Sequence, residues 1–161
     1  MTRRQTVYLV GLLALIACSS IDCPVQHTVR SYYAIYNADQ KVDTLKDTLY
    51  VYIHRARGKD SLLLNAFSQR TSFSLPVSYA KPEDTLFFYF RSLPYEAQDT
   101  VWVKKENYPH FESVDCSASF FHHITAVRST HNAIDSIIIN NPTVDYDPQA
   151  IHFHLYPKSH D

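Results

Sequence analysis

The chain has 161 residues, of which 45% are hydrophobic, and its 15 lysines and arginines against 16 acidic residues give a formal net charge of −1. Without a basic excess to neutralise phosphates, the sequence argues against nucleic acid as a partner. Glycine occurs only twice, which excludes the Gly-rich phosphate loops, dinucleotide fingerprints and nucleophile elbows that need glycines at fixed positions.

The N-terminal segment has the features of a bacterial secretory signal. Arg3 and Arg4 supply a positive start, and residues 7–17 form an almost unbroken apolar run. A helix needs roughly 20 apolar residues to span a bilayer, so this run is too short for a permanent anchor. It has the length expected of a signal-peptide core that is removed after export.

The end of this run, Leu15-Ile16-Ala17-Cys18, resembles the lipobox of bacterial lipoproteins. The resemblance implies cleavage before Cys18 and acyl chains on that cysteine, and several chains together anchor a protein stably where a single chain does not. Ser19 occupies the position at which Asp retains enterobacterial lipoproteins at the inner membrane, which implies the outer membrane. Asp22 is the only acidic residue close by, so the periplasmic face is favoured over the cell surface. The alternative is an ordinary secretory signal with a chance cysteine.

These features predict four parts along the chain. They are a removed signal peptide at residues 1–17, a lipidated N-terminus and short tether at 18–26, a single β-rich domain at 27–157, and a C-terminal tail at 158–161. The β-rich part is long enough to bury a hydrophobic core as one domain. The membrane is the expected partner at the N-terminus, through the lipid.

Three cysteines are present, and the lipid would occupy one of them. Cys23 and Cys116 then remain as an even pair in an oxidising compartment, which predicts a disulfide between them. The bridge would close a long loop and stabilise the domain by roughly 4.5 kcal/mol in the chain-entropy model. The alternative is a pair of buried free thiols.

Period-two alternation of apolar and polar residues runs through the rest of the chain and predicts an all-β fold. Residues 48–54 carry aliphatic side chains on one face and Tyr50 and Tyr52 on the other, whereas residues 86–90 are apolar on both faces, as in a central strand. We expect an antiparallel β-sandwich, immunoglobulin-like or similar, with a closed β-barrel as the runner-up. The predicted strands are 28–36, 48–54, 60–67, 71–79, 84–91, 99–105, 110–114, 116–124, 135–140 and 150–156. Asn107-Tyr108-Pro109 is predicted to form a turn before the strand at 110–114.

A short motif of Asp, then Thr or Ser, then an aliphatic residue recurs along the chain. Because Asp ends turns by bonding nearby backbone amides and Thr favours extended structure, we interpret the motif as a strand start. The alternative is a series of carboxylate ligands. The copies begin at Asp43, Asp47, Asp60, Asp84, Asp99 and Asp135.

Several segments follow one another along the chain, at residues 73–77, 84–90, 111–116, 130–137, 141–142 and 151–156. Their order resembles a family of small lipoproteins of Bacteroidales cell envelopes, defined as a domain of unknown function. The family implies a location and a fold but no activity. This chain departs from it where Ser117, and not the usual Gly, follows Cys116.

Nine histidines invite a search for a metal site. His152 and His154 lie two apart on a predicted strand and could share a face, whereas His122 and His123 must point to opposite faces. No spacing supplies a third and fourth ligand. We therefore predict that His152 and His154 form the solvent-facing side of the last strand, and we predict no metal and no cofactor.

Two further chemistries are weakly supported. The stretch Asn140, Asn141, Asp145 and Asp147 could hold calcium through oxygen atoms, but it lacks EF-hand spacing and reads as a turn-rich loop. Cys116 is next to an aspartate, which would raise a thiol pKa. The sequence therefore predicts no catalytic residue.

Tyrosines are abundant in the first strands, at Tyr32, Tyr33, Tyr36, Tyr50 and Tyr52. Such rows either stabilise a sheet as cross-strand pairs or bind glycans and proteins. We therefore predict a non-enzymatic binding or assembly module with an envelope protein or glycan as partner. One alternative is a carrier of a small apolar ligand in a barrel lined by residues such as Phe88, Phe90 and Trp102. A less favoured one is a His-dependent metalloenzyme.

Overall fold

The computed structural model describes residues 29–55 and 58–159, and its regular elements in these ranges are strands. The described part begins just after the predicted tether, so Cys18 and Cys23 lie outside it. The strands are β1 (Arg30–Ile35), β2 (Thr48–His54), β3 (Asp60–Phe67), β4 (Ser72–Pro76), β5 (Glu83–Ser92), β6 (Tyr95–His110), β7 (Ser119–Ser129), β8 (Ile134–Ile139), β9 (Thr143–Val144) and β10 (Phe153–Pro157).

The strands form two sheets that pack face to face. One has four strands in the order β4-β1-β10-β8, and the other has six in the order β3-β2-β5-β6-β7-β9. The described strands pair antiparallel, except that β1 and β10 run parallel. The predicted β-sandwich is therefore confirmed. The runner-up barrel is wrong, because the two sheets do not close on each other.

The core consists of the inward-facing residues of both sheets, as the alternation predicts. Tyr33 of β1 stacks between Phe73 and Phe153 with ring centroids 4.9 and 4.6 Å apart, and meets the edge of Phe88 from the other sheet at 6.1 Å. These large side chains leave less than a tenth of their surface exposed. Aromatic packing thus joins the two sheets.

Strand β5 lies between β2 and β6, which confirms that residues 86–90 form a central strand. Leu86, Phe88 and Phe90 face the core and are at most 5% exposed. Phe87 and Tyr89 alternate with them and are half-buried on the outer face. A side chain on either face of this strand is therefore covered by neighbours from both sides.

The prediction is wrong for the strand at 110–114 and for the turn at Asn107-Tyr108-Pro109. Strand β6 is 16 residues long and runs through these residues to His110, and residues 111–118 form the connection to β7. Pairing between β5 and β6 ends at Lys104, so Pro109 pairs with β7 alone. The side of β6 that faces away from β7 has no partner among the described strands at Pro109. Because no backbone N–H donor is required on that side, a proline is tolerated there.

The inward side of β6 carries a charged residue at each end of an apolar stripe. Val101 and Val103 occupy the middle, Asp99 is 0% exposed at one end, and Lys105 is 2% exposed at the other. The strand-start interpretation of Asp99 is wrong, because this residue lies inside β6. The motif does mark strand starts elsewhere, for example at Asp60 of β3.

The Asp99 carboxylate holds the connection between β7 and β8, which crosses from one sheet to the other. One oxygen accepts hydrogen bonds from the Thr130 hydroxyl and the Asn132 amide, and the other accepts the amides of Ala133 and Ile134, each amide at 2.7 Å. Burial alone would raise the pKa of Asp99, but these hydrogen bonds outweigh it and lower that pKa.

Lys105 makes the corresponding contacts at the other end of the stripe. Its Nζ lies 2.8 Å from a carboxylate oxygen of Asp84 and donates to the carbonyl of Lys81 at 3.2 Å. The Lys105 side chain is 0% exposed and that of Asp84 is 16% exposed. The pair ties β6 to the start of β5 in surroundings with little access to water.

Candidate functional site

The outer side of the six-stranded sheet presents a group of half-buried aromatic side chains, which we call the aromatic face. Its members are Tyr50 and Tyr52 of β2, Phe87 and Tyr89 of β5, and Trp102 of β6. They share this side because each alternates along its strand with a core residue. The three strands are neighbours in the sheet, so the side chains form one surface.

Register places the aromatic rings opposite one another across the strands. Tyr52 pairs with Phe87, and Tyr50 pairs with Tyr89. The first pair is stacked with ring centroids 5.4 Å apart, and the second is tilted at 6.2 Å. Such pairs stabilise the sheet, and they also present flat apolar area to solvent.

Oppositely charged residues border the aromatic face. Arg128 lies over the ring of Trp102 at 4.0 Å, within cation–π distance, and contacts Glu83 at 3.2 Å. At the other end, Arg91 contacts Glu96 at 3.1 Å. In these two ion pairs each charge is compensated by its partner.

Two phenol groups give the aromatic face polar tips. The Tyr52 hydroxyl donates to the side chain of Gln98. Burial, with a smaller effect of Asp60, raises the pKa of Tyr52, and the hydrogen bond to Glu96 raises the pKa of Tyr89. Both phenols are therefore neutral at physiological pH. The aromatic face thus combines stacking area with hydrogen-bonding groups.

The early tyrosines do not form one cluster, contrary to what their spacing suggests. Tyr33 lies in the core at 1% exposure. Tyr32 and Tyr36 lie on the outer side of the other sheet, stacked on His152 and His154. The sequence correctly grouped Tyr50 and Tyr52. It did not identify Phe87, Tyr89 and Trp102 as their companions, since only strand order brings these together.

The prediction that His152 is solvent-facing is wrong. His152 is 0% exposed, its Nδ1 accepts the amide N–H of Tyr32 at 2.9 Å, and its Nε2 donates to the carbonyl of Thr143 at 3.0 Å. Burial lowers its pKa, so the ring is neutral. With both nitrogens engaged, His152 cannot join half-buried His154 as a chelating pair. In residues 29–55 and 58–159, no group of three or more potential ligands converges on a point.

His122 and His123 do point to opposite sides, as predicted, with His122 buried and His123 exposed. The Nδ1–H of His122 donates to Asn107 Oδ1 at 2.7 Å, and Asn107 donates onward to the carbonyls of Tyr79 and Lys81. Burial, with a smaller effect from nearby Lys105, lowers the pKa of His122 to about 4. The ring therefore serves as a neutral structural donor.

We predict that His122 makes the domain less stable in mild acid. Because its pKa is about 4 in the folded state and about 6.5 in the unfolded chain, the unfolded state binds more protons between these values. Its contribution is complete above about pH 6.5 and is lost as the pH falls towards 4. Between pH 7 and 5 this amounts to about 2 kcal/mol.

Denaturant unfolding across this pH range, with the wild type and His122→Gln, checks the prediction. The variant should be less stable at pH 7 but lose less stability on acidification. His123→Gln is the matched control, since its exposed side chain lies on the opposite side of β7. Equal pH slopes in wild type and His122→Gln would show that His122 does not titrate in this way.

The polar loop proposed for calcium uses its oxygen atoms in turns. Asn141 accepts the amide of Thr143, Asp145 that of Asp147, and Asp147 that of Gln149, at 2.8 to 3.0 Å. These local bonds fix the backbone between β8 and β10. One side-chain oxygen of each of these residues is thus used in a turn.

The residues expected to line a carrier cavity are not brought together. Phe88 and Phe90 are 0% exposed in the core, whereas Trp102 lies on the aromatic face. A cleft of about 780 Å³ does exist at the end of the sandwich near Tyr36 and Tyr156, and it is lined largely by polar residues, including Asp39, Asp43, Lys46, Asp135 and Lys158. Its lining does not match that of an apolar carrier.

Among the described residues, no helix is both long and apolar enough to cross a membrane. Cys116, one half of the predicted disulfide, is 8% exposed in the connection between β6 and β7. Because Cys18 and Cys23 lie outside the described residues, lipid attachment and the bridge stay predictions.

Comparison with known proteins places the chain in a family. No curated protein and no solved structure matches it. A family model described as "Family of unknown function (DUF6452)" matches residues 48–157, which is more than half of the chain. The chain belongs to this family. The DUF6452 match runs from the first residue of β2 to the last residue of β10 and so contains the entire aromatic face.

Proposed function

We propose that this DUF6452 protein is a lipid-anchored component of the bacterial cell envelope that acts as a non-enzymatic binding or assembly module. Its aromatic face would bind an envelope protein or a glycan. The observation that carries the proposal is the grouping of five aromatic side chains on one outer side of the sheet, bordered by charges that cancel in pairs.

The chemistry of the aromatic face favours binding over catalysis. Tyr and Trp are enriched at interaction surfaces because they combine large rigid apolar area with a polar tip. Their neighbours on this side include Gln98, Thr85, paired charges and His54, whose ring lies 4.2 Å from that of Phe87 and whose Nδ1 contacts Asp60 at 2.5 Å. A flat neutral surface of this kind suits a partner that is recognised by stacking and hydrogen bonds.

The proposed location rests on the N-terminal sequence. Cleavage before Cys18 and acylation of its thiol would place the domain at the outer membrane, on the periplasmic face, as the resemblance to Bacteroidales lipoproteins implies. A bridge between Cys23 and Cys116 would then fix the domain close to the anchor. The burial of Cys116 at 8% exposure supports this pairing, since a bridged cysteine is usually shielded.

Site-specific photo-cross-linking in intact cells tests this proposal. A photoreactive phenylalanine analogue at Tyr89 should give adducts with the partner, because Tyr89 is half-buried on the outer side of β5, the middle one of the three strands that carry the aromatic face. Trp102→Ala in the same protein should lower the adduct yield by about tenfold or more, the effect of removing a binding hot spot. A protein partner gives a discrete adduct mass, and a glycan gives a heterogeneous series.

The matched control places the analogue at Ile138, which lies on β8 of the other sheet and is 50% exposed. It should give few adducts, and those should not respond to Trp102→Ala. Thermal unfolding of each variant confirms that the sandwich is intact. Adducts of equal yield at both positions, or a yield at Tyr89 that Trp102→Ala leaves unchanged, would contradict binding through the aromatic face.

A further inference from the structure

One end of the sandwich carries exposed apolar side chains that the aromatic face does not include. They lie in the turn after β4, in the last residues of β6 and in the connection between β6 and β7. Val114 is 98% exposed, Phe111 and Tyr79 are each 63% exposed, and Tyr108 is 49% exposed. Large apolar residues grouped at such exposure mark an interaction surface more often than chance.

These residues lie at the end of the domain where the described chain begins. Val29, Tyr79 and Phe120 line one small cavity of about 260 Å³, and the rings of Tyr79 and Phe120 stack at 4.5 Å. The pairing of β6 with β7 ends at His110 and Ser119, so the connecting residues 111–118 project from the same end. We call Tyr79, Tyr108, Phe111 and Val114 the apolar tip.

The proposed lipid anchor would hold this end near a bilayer, and the step rests on the proposed function. Cys18 precedes Val29 by eleven residues, which span at most about 40 Å when fully extended. A bridge from Cys23 to Cys116 would leave five residues, or about 18 Å, between the lipid and the connection that carries Phe111 and Val114. The apolar tip is therefore the part of the domain held closest to the membrane.

The charges of the apolar tip decide which kind of membrane contact is possible. Glu112 and Asp115 lie close to Val114 in the connection, and exposed Lys81 lies two residues after Tyr79, so the apolar tip has no net positive charge that would attract anionic headgroups. The contact must come from Val, Phe and Tyr side chains in the interfacial region, where amphipathic aromatic rings are favoured. It should therefore form on zwitterionic lipid and persist at high salt.

We propose that the apolar tip inserts into the interfacial region of the bilayer in which the lipid on Cys18 is anchored. This second contact sets the orientation of the domain, with β1 starting at the membrane and the turn between β5 and β6 pointing away from it. The aromatic face would then stand roughly perpendicular to the bilayer, accessible to a partner beside it.

Tryptophan quenching by lipid tests this orientation. The chain has one tryptophan, so Trp102→Phe provides a dark background for the full acylated protein in phosphatidylcholine vesicles with brominated acyl chains. The reporter Val114→Trp should lose about half or more of its emission relative to unbrominated vesicles, because interfacial residues reach the acyl boundary. Phe111→Trp is a second reporter. The loss should not change with salt.

The matched control is Leu93→Trp, since Leu93 is 76% exposed at the turn between β5 and β6, at the opposite end of the sandwich. Its emission should not respond to bromine. Vesicle flotation and intact mass report the anchor independently. Flotation with acyl mass but no quenching at either reporter, or with equal quenching at Leu93→Trp, would overturn the insertion alone. Absence of both flotation and acyl mass would overturn the anchor and the insertion with it.

Discussion

Replacing Asp99 by asparagine is expected to lower the free energy of unfolding by about 3 to 5 kcal/mol. The carboxylate accepts four hydrogen bonds in a fully buried position, three of them from backbone amides of the connection between β7 and β8. Asparagine has nearly the same volume, so no cavity arises. Its NH₂ group, however, must face N–H donors, which leaves buried groups unsatisfied. Chemical denaturation at pH 7 measures the loss.

The matched control is Asp135→Asn, because Asp135 belongs to the same type of sequence motif and lies just after the same connection, at the start of β8, but is exposed. It should change stability by no more than about 0.5 kcal/mol.

Because the pKa of Asp99 is lowered in the folded state, the contribution of Asp99 to stability is present above about pH 4 and is lost as the pH falls further. Asp99→Asn should therefore also flatten acid unfolding below that value. Similar losses for both variants would show that Asp99 is not the support of the connection.

The strands were predictable from the sequence because burial on one face leaves a local pattern. The alternation in residues 48–54 and the apolar run at 86–90 correspond to β2 and to the centre of β5. The pattern also identified Tyr50 and Tyr52 as neighbours on the outer face. The grouping of the other aromatic residues depends on the strand order and register of distant segments, which a local pattern does not contain.

The prediction failed where contacts with residues distant in the sequence determine the local structure. Asn107 and Pro109 suggested a turn. The pairing of β6 with β5 stops at Lys104, but the pairing with β7 continues to His110, and the Asn107 side chain bonds His122 and two carbonyls, so the strand continues. Because His152 alternates with core residues along the chain, the sequence suggested that it faces solvent. Tyr32 and the backbone of Thr143 enclose it instead.

The burial of two charged residues in β6 could not be predicted from the sequence either, and the reason is energetic. A sequence with Asp99 and Lys105 six positions apart gives no reason to bury either, since an unpaired buried charge is costly. Each becomes tolerable only when the fold supplies its partners, which are amides of the β7–β8 connection for Asp99 and Asp84 for Lys105. Asp99 and Lys105 are therefore stable in their buried positions only when the strands have assembled in the correct register.

Removing the Asp84 charge from the Lys105–Asp84 pair is expected to lower the free energy of unfolding as much as Asp99→Asn does. Asp84→Asn leaves the ammonium of Lys105 buried with the Lys81 carbonyl as its remaining described acceptor, and should lower the free energy of unfolding by about 3 to 5 kcal/mol. Lys105→Met should be milder, because the Asp84 side chain is 16% exposed and water can reach it.

The double variant Lys105→Met/Asp84→Asn distinguishes a paired charge from two separate effects. With both charges absent and the volume nearly kept, it should be more stable than Asp84→Asn alone, since an apolar replacement of a buried pair is often close to neutral. A double-mutant cycle by denaturant unfolding gives the coupling energy between Lys105 and Asp84, expected at about 2 kcal/mol or more.

Glu83→Gln is the matched control: it removes the exposed partner of Arg128 one residue earlier in β5 and should change stability by less than about 1 kcal/mol. Additive losses in the cycle would mean that Lys105 is stabilised by the surrounding carbonyls and packing rather than by Asp84, and that the ion pair does not fix the register of β5 and β6.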